Sequence, residues 1–599
     1  MTTMTVAQAL VRYLAAQLGE DGRPLFAGVW AIFGHGNVAG LGHALFEVQD
    51  SLPTLRAHNE QAMGHAAVAF AKANRRRRMM ACTTSIGPGA TNLVTAAATA
   101  HVNRLPVLLL PGDVFANRVP DPVLQQLEVP TDPGATVNDC LRPVSRYFDR
   151  IQRPEQLLAS LPQALRVLTD PAECGPVTLA LPQDVQTEAL EVPDAFLEPT
   201  VRRVRRAHPD PRELQDALRV LRGARRPLLV AGGGVLYSEA EGALAELAHA
   251  LGAPVAFTQA GNGALAAADP AWVGGLGVTG SAAANALAAD ADVILAVGTR
   301  LSDFTTASRT LFPQARLLMV NVAGFDAVKH GAQPVVGDAQ VILLQLGAGL
   351  AGARAEPGWT ARAAELRGRW LETVAEVTAP GPGLPTDAQV LGAVARVAGP
   401  DSVVVGAAGG LPGELHKLWR PAGPGSYHLE YGYSCMGYEI AGGLGVKLAC
   451  PEREVFVLVG DGSYLMLNSE LATSVALGAK LVLVVLDNRG FGCIHRLQAS
   501  TGGEEFNNLR PGGPEIDLVA HARALGAHAE AAPDVGALPG ALARARAAER
   551  TAVVVIQTDP ARGTAEGGAW WDVAVPEVSP RPEVMQARLQ YERARGGGG

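Results

Sequence analysis

Short, almost unbroken apolar runs recur along the chain and stop at glycine or a polar residue. Clear cases are PVLLLPGD (106–113), PLLVAGGG (227–234), VILAVGTR (293–300), VFVLVGDG (455–462) and KLVLVVLDN (480–488). A run of this length without polar alternation predicts a strand buried on both faces, as in a parallel sheet. Between the runs lie longer Ala- and Leu-rich stretches that predict helices. Strand and helix in alternation predict open α/β sheets, with loops gathered at the carboxyl ends of the strands.

Two Pro-rich segments interrupt this pattern. One carries Pro193, Pro199, Pro209 and Pro211, the other Pro380, Pro382 and Pro385. Proline fixes φ and removes a donor, so such runs break elements. The expected architecture is α/β, with three open, mostly parallel-sheet domains over 1–190, 200–350 and 380–575. Residues 576–599 form a carboxy-terminal tail, and the last dozen (ending YERARGGGG) read as mobile. The stretch 499–515 is a second mobile candidate.

Composition narrows the function classes. The 599 residues are 48 % hydrophobic and only 18 % charged, with a formal net charge of −8. Average domains carry about 25 % charge, so much of this surface is expected to be buried. An acidic balance argues against a broad phosphate-binding field and so against a nucleic-acid partner. The arginine run Arg75–Arg78 and the RRVRR segment at 202–206 read as solvated or interface patches. With no apolar stretch of about 18 residues, no membrane partner is expected. Six cysteines without a CxxC pair argue against a disulfide scaffold and a structural zinc site. The amino terminus lacks a signal-peptide pattern, which makes the expected location cytoplasmic.

The chemistry concentrates in the third piece. One strand ends at Gly460-Asp461-Gly462, the next at Asp487-Asn488-Arg489-Gly490, and Asn488 follows Asp461 by 27 positions. That is the length of one βαβ unit, so adjacent parallel strands would present both side chains at one sheet end. A carboxylate (Asp461), an amide oxygen (Asn488) and the Gly490 carbonyl are hard ligands suited to Mg²⁺. Gly462 and Ser463 open the following helix, whose amide groups favour a diphosphate. Taken singly, GDG and DN would be tight turns.

A GDG followed at this distance by Asn resembles the signature of thiamine-diphosphate enzymes. The resemblance extends over nearly the whole chain. It implies an amino-terminal aminopyrimidine-binding domain, a central domain often without a cofactor role, and a carboxy-terminal diphosphate-binding domain. Many members carry a second Asn where Asp487 stands. In that family a glutamate hydrogen-bonds the aminopyrimidine and promotes the tautomer that deprotonates thiazolium C2. The matching position is Glu60 in His58-Asn59-Glu60-Gln61. On its residue type alone, Glu60 would be a helix amino-terminal acid favoured by the dipole. Ser85-Ile86-Gly87-Pro88-Gly89 resembles the family's Ser-Gly-Pro-Gly loop. Met436 matches the side chain that props the cofactor in its bent form, and is otherwise a core methionine. Gly409 and Gly410 match glycines beside the diphosphate. The implied cofactors are thiamine diphosphate and Mg²⁺. The implied assembly is a homodimer or homotetramer with active sites between subunits.

Within the family, FGHGNVAGLGHAL (33–45) and NRGFGCIHRLQ (488–498) resemble loops of members that hydrolyse a C–C bond. Their substrate is a cyclic, polyhydroxylated 1,2-diketone derived from inositol, opened to 5-deoxyglucuronate. That implies a small-molecule substrate and no redox step. His35 and His495 are then candidates for acid–base work, with Asn37 and His65 for hydroxyl contacts. Each could equally be a structural or turn residue. The alternative within the family is a carboligase like acetolactate synthase, or a 2-keto acid decarboxylase. The glycines at 232–234 resemble a dinucleotide turn only weakly, since no GxGxxG or well-placed acid accompanies them.

Overall fold

The apolar runs pair into three six-stranded sheets in which every neighbouring pair is parallel. They were traced in a computed structural model that describes all residues except 118, 120, 121, 511, 513, 514 and 597–599. The first sheet holds β1 (Phe26–Ala31), β2 (Thr54–Arg56), β3 (Met79–Thr84), β4 (Leu108–Asp113), β5 (Tyr147–Arg150) and β6 (Val177–Pro182). Its order is β2-β1-β3-β4-β6-β5. The second holds β7 (Pro227–Ala231), β8 (Val255–Phe257), β9 (Trp272–Gly275), β10 (Val293–Val297), β11 (Arg316–Asn321) and β12 (Gln333–Val336). Its order, β9-β8-β7-β10-β11-β12, is that of the dinucleotide-binding doubly wound fold. The third holds β13 (Val403–Gly406), β14 (Tyr427–Leu429), β15 (Val455–Gly460), β16 (Val482–Asp487), β17 (His528–Ala532) and β18 (Ala552–Gln557). Its order, β14-β13-β15-β16-β18-β17, repeats that of the first sheet.

The inner strands are Val/Leu-rich and sealed on both faces; every residue of β4, β6, β7 and β10 is buried. This is the physical reason for the unbroken apolar runs: the faces of these strands are covered on both sides and do not meet water.

Contacts divide the chain into two compact units. One comprises Met1–Arg205 with Gly437–Glu452 and Leu467–Leu481; the other comprises Arg206–Met436, Arg453–Met466 and Val482–Gly599. In the first unit, the Glu60–Ala73 helix packs along the Tyr438–Ala449 helix from the far end of the sequence. The approach is close: a Cβ on Gly445 would stand 2.1 Å from the Ala66 carbonyl oxygen. His65 lies within this contact, fully buried, its ring edge-on to Tyr438 at 5.3 Å between centroids. Glu470 reinforces the same face, accepting from the backbone N–H groups of His58 (3.0 Å) and Asn59 (3.1 Å).

In the second unit, the order of the central sheet reverses direction between β7 and β10, where a doubly wound fold takes its ligand. Here Gly232 and Gly234 lie directly on Gly298, and the Gly234 N–H donates to the Gly298 carbonyl at 2.9 Å. These glycines serve backbone contact. The central and third sheets are tied by His416, whose Nε2 lies 2.9 Å from the Phe257 carbonyl and Nδ1 3.0 Å from Thr279 Oγ1.

The expectation that the last dozen residues are mobile is corrected over 588–596, which belong to the helix Pro582–Gly596. Its Val584 and Tyr591 pack with Val575, so apolar burial holds a segment that composition alone marks as polar. Gly597–Gly599 lie outside the described residues, as do three positions of the 499–515 stretch.

Burial pushes the His416 imidazole down to about 4, against some help from its two hydrogen bonds. It is neutral when folded but would gain a proton near pH 6.5 once unfolded. Its contribution is therefore complete above about pH 6.5 and is lost as pH falls toward 4, by up to about 3 kcal/mol. The melting temperature should drop between pH 7 and 5, and His416→Gln should flatten part of that drop in a thermal-melt series.

Candidate active site

Parallel registry sets the third sheet's chemistry. Gly460 of β15 pairs with Leu486 of β16, so Asp461 and Asp487-Asn488 leave the sheet side by side. Three atoms converge there. The position of one Asn488 side-chain amide atom is 3.2 Å from Asp461 Oδ1 and 2.9 Å from the Gly490 carbonyl oxygen. With nitrogen in that position, the amide donates to both. With oxygen there, three oxygens meet with no donor among them. Separations near 2.9 Å are the edges of an octahedron whose metal–oxygen distance is about 2.1 Å, the geometry Mg²⁺ requires. The donor set of carboxylate, amide oxygen and backbone carbonyl is also the hard set such a cation takes. Among the described residues no cluster of three or more His, Cys, Asp or Glu side chains offers a rival metal site.

Asp461 is 1 % exposed. Burial, and then the neighbouring Asp487, push its carboxyl up to about 6, with Arg510 opposing. A divalent ion against Oδ1 would reverse that penalty. The Gly490 carbonyl reaches the site because its residue has φ +149°, and a Cβ there would stand 2.3 Å from the Asn508 carbonyl oxygen. Only glycine fits that close approach. Gly462 and the buried Ser463 follow Asp461 in the short Asp461–Met466 helix.

The order of the third sheet reverses between β13 and β15, and the Gly409-Gly410 turn leaves β13 at that point. Arg496 backs it: a Cβ on Gly410 would lie 2.6 Å from the Arg496 Nη2. Arg496 donates to the Pro560 carbonyl (2.8 Å) and lies 3.9 Å from Asp387. Burial pushes Asp387 up to about 7, with Arg496 opposing and Glu414 and Asp559 adding to the rise. Met436 ends a loop pinned by the buried Glu430, which accepts from the N–H groups of Tyr433 (2.8 Å) and Cys435 (2.9 Å). His495 sits in the Gly492–Ser500 helix with Nδ1 3.9 Å from Glu505, beyond hydrogen-bond distance.

Glu60, His35, Asn37 and His65 belong to the other unit. Glu60 opens its helix behind the Asn59 cap, and Glu60 Oε2 accepts from Asn92 Nδ2 at 2.9 Å. The Gly87-Pro88-Gly89 turn stands over it: a Cβ on Gly89 would lie 3.2 Å from Glu60 Oε1. Gly87 has φ +69°, and a side chain there would strike the Gln125 carbonyl. His35 is exposed on the loop after β1. Asn37 is buried and its amide is engaged locally, accepting from Gly34 N–H (2.9 Å) and donating to Thr83 Oγ1 (3.1 Å) and the Ile32 carbonyl (3.3 Å). His65 is enclosed as described, with Nε2 3.2 Å from Gln61 Nε2, and burial pushes it down to about 3. Asn37 and His65 thus hold the scaffold of the loop and of the helix pair.

Sequence reasoning missed Glu430, Glu470, Arg496 and Arg510. Their partners lie far along the chain or in irregular loops, and no spacing marks them.

Three family models match in succession. Residues 4–131 match the thiamine pyrophosphate enzyme amino-terminal TPP-binding domain, 214–346 the central domain and 407–556 the carboxy-terminal TPP-binding domain. The chain is 44 % identical to the 3D-(3,5/4)-trihydroxycyclohexane-1,2-dione hydrolase of Geobacillus thermodenitrificans, covering 98 % of this chain and 97 % of that protein. It is 43 % identical to the protein of the same name from Clostridium perfringens, covering 98 % of each. The corresponding Bacillus cereus protein is 42 % identical, over 98 % of this chain and 97 % of its own.

Asp461→Asn removes the one formal charge of the oxygen triad. Calorimetric titration with Mg²⁺ in the presence of thiamine diphosphate should show binding weakened about 100-fold, the scale of a lost ion-pair contact of roughly 3 kcal/mol.

Proposed function

The chain belongs to the thiamine pyrophosphate enzyme family, and from that membership we propose that it hydrolyses the ring of trihydroxycyclohexane-1,2-dione at the bond between the two carbonyl carbons. The observation that carries the substrate is similarity over 98 % of the chain to relatives bearing that name. Inositol catabolism to 5-deoxyglucuronate is the setting we assign, and Mg²⁺ the metal.

Asp461 Oδ1, Asn488 Oδ1 and the Gly490 carbonyl would hold Mg²⁺, leaving its remaining positions for diphosphate and water. Gly409, Gly410, Gly462 and Ser463 bring backbone to the diphosphate, and Met436 supports the ring system. Glu60 holds or releases a proton at the aminopyrimidine, its Oε2 kept in place by Asn92. When bound, thiamine diphosphate supplies the electron sink that makes a carbonyl carbon able to carry a negative charge. Water adds its oxygen to the neighbouring carbonyl carbon, the C–C bond breaks, and that carbon leaves as carboxylate. The other carbon takes the electron pair and a proton and becomes the aldehyde. No redox partner enters the balance. His35 and His495 are the proposed groups for proton transfer or substrate hydroxyls.

Active sites in a homodimer or homotetramer, and a cytoplasmic location, complete the reading. Among the described residues, no helix is long and apolar enough to cross a membrane.

The test is reconstitution with thiamine diphosphate and Mg²⁺, followed by the cyclic dione and pyruvate offered separately. Acid should form from the dione alone; consumption of pyruvate alone would place the chain among the carboligases. Glu60→Gln should lower kcat at least about 1,000-fold, the loss expected of a proton-transfer group. It should still bind thiamine diphosphate in a calorimetric titration.

A further inference from the structure

Asp487 stands where many thiamine-diphosphate enzymes carry asparagine, and it adds a negative charge beside the oxygen triad. Arg510 meets that charge. Its Nη2 donates to Asp461 Oδ2 at 2.9 Å and to Asp487 Oδ1 at 3.4 Å. The geometry divides the Asp461 carboxylate: Oδ1 faces the Asn488 amide, which in turn meets the Gly490 carbonyl, and Oδ2 faces the guanidinium. We infer that Asp487 and Arg510 are a matched pair of positioning residues that hold Asp461 in one-oxygen ligation and set the net charge of the metal site. This inference rests on the metal site proposed above.

Arg510 is brought there by a deliberate fold. Residues 489–491 and 508–510 run antiparallel, with Gly490 bridged to Leu509, Phe491 N–H donating to the Asn508 carbonyl (2.7 Å) and Arg510 N–H to the Arg489 carbonyl (2.9 Å). Arg489, adjacent in sequence, turns its guanidinium to Glu515, while its N–H donates to Asp487 Oδ1 at 3.0 Å. Asp461 and Asp487 together with Arg510 leave one net negative charge, as a lone aspartate beside an asparagine would. An outer partner on a ligating carboxylate also fixes its orientation.

Charge compensation makes the two single substitutions act in opposite senses, which a merely structural role would not. In calorimetric titrations of the full-length protein with Mg²⁺ at fixed thiamine diphosphate, Asp487→Asn should weaken Mg²⁺ binding about tenfold. That is the interaction of one charge with a dication across roughly 6 Å at water-like dielectric. Arg510→Gln should bind Mg²⁺ at least as tightly as the native protein, and Arg510→Lys within about threefold of it. The double variant Asp487→Asn/Arg510→Gln should recover to within about threefold of native. The tenfold deficit of Asp487→Asn should shrink in 0.5 M salt, since the guanidinium is part exposed. Native affinity in Asp487→Asn, or a double variant no tighter than that single one, overturns the pairing. Failure of the native protein itself to bind Mg²⁺ with the cofactor would instead overturn the metal-site reading.

Discussion

The meeting of the Asp461 carboxylate, the Asn488 side-chain amide and the Gly490 carbonyl at one point is the constraint on which the end of the third sheet is organised. It exists because two neighbouring parallel strands end side by side. Gly460 opposite Leu486 places Asp461 level with Asp487 and one residue short of Asn488, and the tight Gly490 turn returns a carbonyl to the same point. Burial of Asp461 makes the demand for a cation stronger, because a carboxylate in that position lacks the water that would otherwise stabilise it. Arg510 meets part of that demand at Oδ2, on the side away from the Asn488 amide.

The first and third sheets share one strand order, yet they carry different chemistry at the same topological place. Beyond β13 and β15 lie backbone glycines and the Asp461, Asn488 and Gly490 group proposed to hold a cation. Beyond β1 and β3 lie an exposed histidine loop and a Gly-Pro-Gly turn set against Glu60. The central sheet has the strand order of a dinucleotide-binding fold, but the glycines at its reversal point touch each other. Architecture thus offers three equivalent places, and loop residues decide what each can hold.

Close helix contact has a comparable role in the first unit. Gly445 against Ala66 allows two helices from distant parts of the sequence to meet at backbone distance, and Glu470, from a second distant segment, ties down the entry of the Glu60 helix. The acid opening that helix is thereby placed by residues some four hundred positions away. His65, which loop-and-motif reasoning offers to the substrate, is needed inside this contact, and Asn37 is similarly occupied by its own turn.

What the sequence by itself determined is what depends on local pattern. Unbroken apolar runs specify buried parallel strands, and the 27-position interval between Asp461 and Asn488 specifies adjacent strand ends. The GDG and Asn positions at the strand ends and Glu60 at a helix start are legible for the same reason, since each sits at a boundary its neighbours define. Tertiary structure alone decided the rest. Arg510 reaches Asp461 through an antiparallel return of the chain, Arg496 backs Gly410 from another helix, and the tail helix is held by Val575. Glu470 enters the first unit across most of the sequence. These contacts depend on which surfaces meet after folding, and a side chain's distance along the chain carries no trace of that.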